Sequence, residues 1–159
     1  MNTTKPTFTD EERNRLHSVN NSFEEIKHRK KVFIQTIFSE SDRRTVDHHP
    51  GATLKLDEDG NSIFFDGYGY TLQAQPEYLL HKNEWRVKYL FHVRHTALDG
   101  KKHFTPLYQI EICGSGLVYM GGEDPAPIDA GWKHEDFVYN RLKANLLCAL
   151  VKNLGSTEG

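Results

Sequence analysis

Apolar residues recur along this chain with two different periods, and the change of period divides it. Leu16, Val19, Phe23, Ile26, Phe33 and Ile37 follow one another at helical spacings, interrupted on that stripe by Lys30. Thr9-Asp10-Glu11-Glu12 precedes them as a capping box, in which the threonine hydroxyl accepts from the backbone and the glutamate reaches back. A second such box, Ser22-x-x-Glu25, follows Asn20-Asn21 and predicts a break into two helical pieces, 10–20 and 23–38. The stripe is short for a coiled-coil seam and carries Lys30, so packing across the chain's own sheet is the expectation.

From Thr53 the period falls to two. Asp99-Gly100 is a dipeptide suited to a two-residue type I′ hairpin, because both central residues need positive φ. A turn centred there sets Val93 opposite Pro106, Phe91 opposite Tyr108, Tyr89 opposite Ile110 and Val87 opposite Ile112. Lys88 then faces Glu111 and Arg94 faces Thr105 on the other side. A tight turn at Lys82-Asn83 pairs Leu80 with Trp85, Tyr78 with Val87, Ala74 with Phe91 and Leu72 with Val93, again with the apolar residues on one face. A hairpin at Asp59-Gly60 pairs Leu56 with Ile63 and Leu54 with Phe65. The inward residues are odd-numbered before Asp66-Gly67-Tyr68-Gly69-Tyr70 and even-numbered after it, which predicts a bulge or sharp bend at Gly67 or Gly69. Gly114-Ser115-Gly116 turns the chain into a last strand, Leu117 to Met120.

A Pro-containing loop, Gly121 to Gly131, leads into a helix from Lys133 to Leu154 with Val138, Leu142, Leu146, Ala149, Leu150 and Leu154 on its buried face. The pattern predicts an α+β fold: an antiparallel β-meander of about five strands, an N-terminal helical segment, and a long C-terminal helix packed on one face. Residues 9–155 read as a single domain, with 1–8 a flexible lead-in and 156–159 a tail.

Composition narrows the function by exclusion. At 159 residues with 37% hydrophobic and 26% charged residues, the chain has the material for one globular core. Residues 1–50 carry nine basic and eight acidic side chains and residues 51–121 seven and eight, so no stretch has the basic excess of a phosphate-backbone binder. Met1 to Phe8 lacks the apolar core of a signal peptide, and no apolar run is long enough to span a membrane. A cytoplasmic location is the expectation, with Cys113 and Cys148 as two buried structural thiols.

Among nine histidines, His92 and His95 are three apart on a strand and point to opposite faces, while His48-His49 are adjacent and diverge. No metal site is expected. The pairing places Cys113 opposite Arg86, far from any histidine on its face, and Cys-Gly-Ser115-Gly leads into a strand rather than the helix a nucleophile elbow needs. No catalytic residue and no cofactor is assigned, and the reading leans away from an enzyme. Arg86, Lys88, His92 and Arg94 form a basic row on the outer face. Glu77 and Glu111 flank Lys88, and glutamines stand where stacking aromatics would be needed, so nucleic acid is not expected.

One constellation remains. The same register places Tyr70 and Phe104 on either side of His95 on the inner face, with Asp66 and Tyr68 just beyond. These five residues, Asp66, Tyr68, Tyr70, His95 and Phe104, are the candidate ligand-binding set. The leading expectation is a soluble, non-catalytic module acting through protein–protein contacts as an adaptor, inhibitor or immunity-type partner. Its candidate contact surfaces are the outer sheet face and the acidic loop Glu123–Asp129. The alternative is a small-molecule binder or enzyme of helix-grip-like architecture using the sheet end near Tyr70 and His95. The expected partner is another protein, with a homodimer as an option through the Leu16–Ile37 stripe or strand Leu117–Met120, and neither nucleic acid nor membrane as a target.

Overall fold

Thr9 starts the first helix as its spacing predicts, its Oγ1 accepting the Glu12 N–H at 3.1 Å. The computed structural model describes residues 8–42, 47–96, 98–121, 128–129 and 137–155. Helix α1 runs over Asp10–Asp42 without the expected break. Ser22 has another partner: its Oγ accepts the Trp85 N–H at 3.0 Å, while the Val19 carbonyl accepts from Trp85 Nε1 at 3.1 Å. A serine followed three residues later by a glutamate caps a helix only where the chain ahead is non-helical, and here contact with the sheet keeps that turn helical.

The chain is an α+β protein, with two helices and eight strands among the described residues, more strands than the meander of about five. The strands are β1 (Thr53–Leu56), β2 (Ile63–Gly67), β3 (Tyr70–Ala74), β4 (Pro76–His81), β5 (Glu84–Thr96), β6 (Lys102–Cys113), β7 (Leu117–Met120) and β8 (Ile128–Asp129); helix α2 is Phe137–Gly155. They form one antiparallel sheet in the order β1-β2-β3-β5-β6-β7-β8, and β4 pairs with β5 beyond the end of β3. Both helices pack on the sheet and on each other. Between them lies a core that includes Ile26, Phe33 and Ile37 of α1, Val138, Leu142, Leu146 and Leu150 of α2, and Leu54, Ile63, Phe65, Leu72, Val87, Tyr89, Phe91, Ile110 and Ile112 of the sheet. Residues 133–136, expected at the start of α2, lie outside the described residues, as do 122–127 and 130 of the acidic loop. Cys113 is half-buried beside Arg86, whereas Cys148 is exposed, contrary to its expected burial, because it lies on the side of α2 away from Leu142 and Leu146.

Registers read from apolar pairing hold for most of the sheet. Leu56 faces Ile63, Leu80 faces Trp85, Tyr78 faces Val87 and Leu72 faces Val93. Lys82 and Asn83 both take positive φ, 48° and 65°, as a two-residue turn there requires. The change of phase between Phe65 and Leu72 comes from the sharp bend expected there, at Gly69, and not from a bulge. Tyr68 and Gly69 form another such turn, with φ of 51° and 81°, and Gly67 pairs with Tyr70. A two-residue hairpin pairs odd positions with even ones, so the inward set changes parity with no break in the ladder. Gly67 is needed for space rather than for φ: a Cβ there would lie 3.0 Å from Leu147 Cδ2 of α2.

The irregularities fall elsewhere, at two prolines. Between β5 and β6 the register changes after Phe91–Tyr108, and His92 faces Pro106. Leu107 is the extra residue of a β-bulge, and Pro106 beside it has no N–H to give a regular ladder. The Asp99-Gly100 connection is consequently longer than a two-residue turn, closing on Thr96–Lys102, with Asp99 Oδ1 accepting the Lys101 N–H at 3.0 Å. The expected pairs Val93–Pro106 and Arg94–Thr105 are replaced by Val93–Thr105 and Arg94–Phe104. On the other flank of β5, the chain breaks at Gln75, just before Pro76, and separates β3 from β4.

Tyr89 sits in the middle of the core with a hydroxyl that has no hydrogen-bond partner among the described residues, and burial, with Tyr78 and Asp57 adding to it, pushes that hydroxyl far above the usual tyrosine range. An orphaned buried donor costs free energy that a phenyl ring would not. Tyr89→Phe is therefore expected to raise stability by about 1 kcal/mol in denaturant unfolding.

Candidate functional site on the helix-free face

The bulge at Leu107 decides which residues meet on the open side of the sheet. Residues 102, 104 and 106 of β6 share a face with His92 and Arg94 instead of lying under the helices. Phe104 leaves the expected inward set and stands 58% exposed, its ring 6.5 Å from that of His92 and perpendicular to it. Around this pair a groove of about 740 Å³ is lined by Gln73, Gln75, Pro76, Glu77, Leu90, His92 and Phe104. Gln75 and Pro76, at the break on one flank of β5, line it, as does Phe104 on the other flank, turned to this face by the bulge at Leu107. Gln73, Gln75 and Glu77 have no side-chain hydrogen-bond partner among the described residues. The lining thus offers two free amides, a carboxylate and an imidazole around an apolar floor of Leu90, Phe104 and Pro76.

Charge on this face is locally paired, by different partners from those expected. Glu111 binds Arg86 at 3.0 Å rather than Lys88, although it faces Lys88 across the ladder. The hydrogen bond from Arg86 to Glu111 holds the guanidinium above its ordinary pKa, against the opposing effect of burial. Burial raises the Cys113 thiol next to it, with Arg86 offsetting part of that rise. A thiol so raised is less ionised at neutral pH and a weaker nucleophile.

Of the residues singled out from sequence, Asp66, Tyr68 and Tyr70 stand together at the β2–β3 turn, and Phe104 stands across β5 from them. Tyr68 is the first residue of the β2–β3 turn and is 62% exposed, and Tyr70 is also exposed. Asp66 accepts from Thr71 Oγ1 at 2.6 Å. His95 faces His103 in the ladder, not Phe104, and its side chain lies outside the described residues. Of the five, only Phe104 lines the groove. The signal that would have found the groove was Pro106, an imino acid in the middle of a strand pattern, together with Pro76.

A polar cluster also escaped the sequence reading. Lys143 of α2 is fully buried, and its Nζ donates to Asp47 Oδ1 and Oδ2 at 2.9 and 2.8 Å and to the Tyr139 hydroxyl at 3.2 Å. The Asn140 side-chain oxygen accepts the His48 N–H at 3.0 Å, and Asp47 Oδ1 accepts the His49 N–H at 2.9 Å. Together these bonds fasten residues 47–49, which lead into β1, to α2. All three protons of the ammonium are placed, so the cluster works as a tie rather than as a reactive amine. Helical periodicity hid it, because 143 follows Leu142 directly and reads as the polar side of the stripe.

Burial pushes the Asp47 carboxyl up, but the hydrogen bonds from Lys143 and the His49 N–H outweigh it and hold the group below its ordinary value. The stability this contributes is present above the unfolded carboxylate value of about 3.9 and is lost as pH falls through the lower folded value. Asp47→Asn should flatten that acid limb in a pH series of thermal unfolding. Asp47→Ala, which strands a buried cation, should cost roughly 3–5 kcal/mol, and Lys143→Met less, because the remaining carboxylate reaches water.

No protein-family model matches this chain, and no curated protein or solved structure shows significant similarity to it.

Proposed function

We propose that this chain is a non-catalytic binding module that takes a segment of another protein on the helix-free face of its sheet, in the manner of an adaptor, an inhibitor or an immunity-type partner. One observation carries the reading: the bulge turns Phe104 out onto an open groove flanked by unengaged glutamine amides. An exposed aromatic beside an apolar floor, with glutamine amides at hand, has the composition of a protein-binding patch. Gln73 and Gln75 can each donate to and accept from a polypeptide backbone, which presents both groups at every residue. The face is close to neutral, with Arg86 held by Glu111, and so has little to draw a polyanion.

The groove's volume also lies in the range of small-ligand sites. Its glutamine amides, suited to a polypeptide backbone, and its exposed Phe104 favour a polypeptide over a small molecule.

Affinity purification of the tagged chain from its own cell, with cross-linking and mass spectrometry, tests the proposal. A partner whose cross-links map to the groove should be recovered with the natural chain and reduced at least tenfold with Phe104→Asp, a loss of more than about 1.4 kcal/mol of binding. Phe104 is exposed, so the variant should keep its unfolding temperature. Repeated recovery of the chain without a partner, or a partner insensitive to Phe104→Asp, would sink the reading.

A further inference from the structure

Strand β4 pairs with β5 along one edge and has no strand on the other among the described residues. The two-residue turn at Lys82-Asn83 fixes which backbone groups point to that free edge. In such a hairpin the flanking pair, His81 with Glu84, exchanges both hydrogen bonds, and so do the pairs two and four residues further on. Leu79 and Glu77 therefore bond to β5, while Tyr78 and Leu80 direct N–H and C=O away from it. The contact of Trp85 with α1 agrees with this phase. Trp85 faces Leu80, and its N–H, unused by β4, is accepted by Ser22 Oγ on the far side. Pro76 lies in the same outward phase, where its missing N–H costs the ladder nothing.

The other two edges of the sheet are protected. β1 is four residues long and carries Lys55, and β8 is two residues long. β4 carries instead Leu79 and Leu80, the latter 46% exposed, and no lysine or arginine. An open edge of this kind calls for another strand.

We propose that the occupant is a second copy of this chain, pairing antiparallel through β4 about a two-fold axis at Leu79. The argument is self-complementarity. With Leu79 opposite itself, Tyr78 of one copy faces Leu80 of the other, and these are the two residues whose N–H and C=O point outward, so both pairs exchange both bonds. Glu77 then faces His81 of the second copy, a carboxylate against an imidazole, and no like charges meet. Shifting the strands by one residue would set the outward groups of one copy against the inward groups of the other. The two-fold axis runs through the sheet, so both grooves face the same side of one continuous sheet. This assembly does not depend on the groove's own partner, and it uses neither dimer contact expected from the sequence.

Sedimentation of the full chain over micromolar concentrations is the test. The natural chain should form a dimer. Leu80→Pro removes one outward donor per copy without touching the β4–β5 ladder, and should raise the dimer dissociation constant at least tenfold. Folding of that variant is checked by circular dichroism. His81→Glu should weaken the dimer by setting two carboxylates together, and adding Glu77→His should restore it. Leu79→Cys, in a chain with Cys113 and Cys148 replaced by serine, should link the two copies covalently under mild oxidation. A monomer at every concentration overturns the proposal. So does a dimer indifferent to both Leu80→Pro and His81→Glu, or one that Leu79→Cys fails to link. Phe104→Asp should leave the dimer intact, which separates this outcome from failure of the groove reading.

Discussion

Strand β5 sets the register for almost everything else in the sheet. Its residues 84–96 pair with β6 along one edge and with β4 and then β3 along the other, and its odd-numbered side chains from Val87 to Val93 form the centre of the core. A slip of one residue would turn Tyr89 and Phe91 out to water and bring Lys88 and His92 under the helices. The cost of burying those polar groups makes the register rigid. The helices then follow, because α1 and α2 find their apolar stripes facing a surface that is already fixed.

On that frame, two prolines sit at the marked interruptions of the sheet among the described residues. Pro106 removes a backbone donor on one flank of β5, and the ladder there bulges; on the other flank the chain breaks at Gln75, just before Pro76. Between the break and the bulge the helix-free face becomes a groove. One missing hydrogen decides the surface chemistry too, since the bulge exchanges the faces of residues 102–106 and delivers Phe104 to the open side.

The second tie is electrostatic. Lys143 crosses 96 residues of sequence to reach Asp47 and anchors the segment entering β1 to the last helix. A buried ion pair adds little over an apolar replacement, but half of one is costly, so it selects a single arrangement of that segment. The apolar core and this pair thus do different work, one supplying compaction and the other fixing position.

Much of this was legible in the residues. Apolar alternation gave the β4–β5 and β1–β2 pairings and the inner half of β5–β6, because side chains on one face of a strand must share an environment. Helical spacing gave both helices for the same reason. The sequence alone could not decide which of two satisfactory partners a polar group would choose. Ser22 was free to cap a helix or to receive the Trp85 N–H, Glu111 to hold Lys88 or Arg86, and Lys143 to be solvated or buried. Those choices depend on distances across elements far apart in the chain, and so does the effect of one proline on the face of Phe104. Tertiary structure made them, and with them it made the groove and, among the described residues, left the outward edge of β4 without a strand.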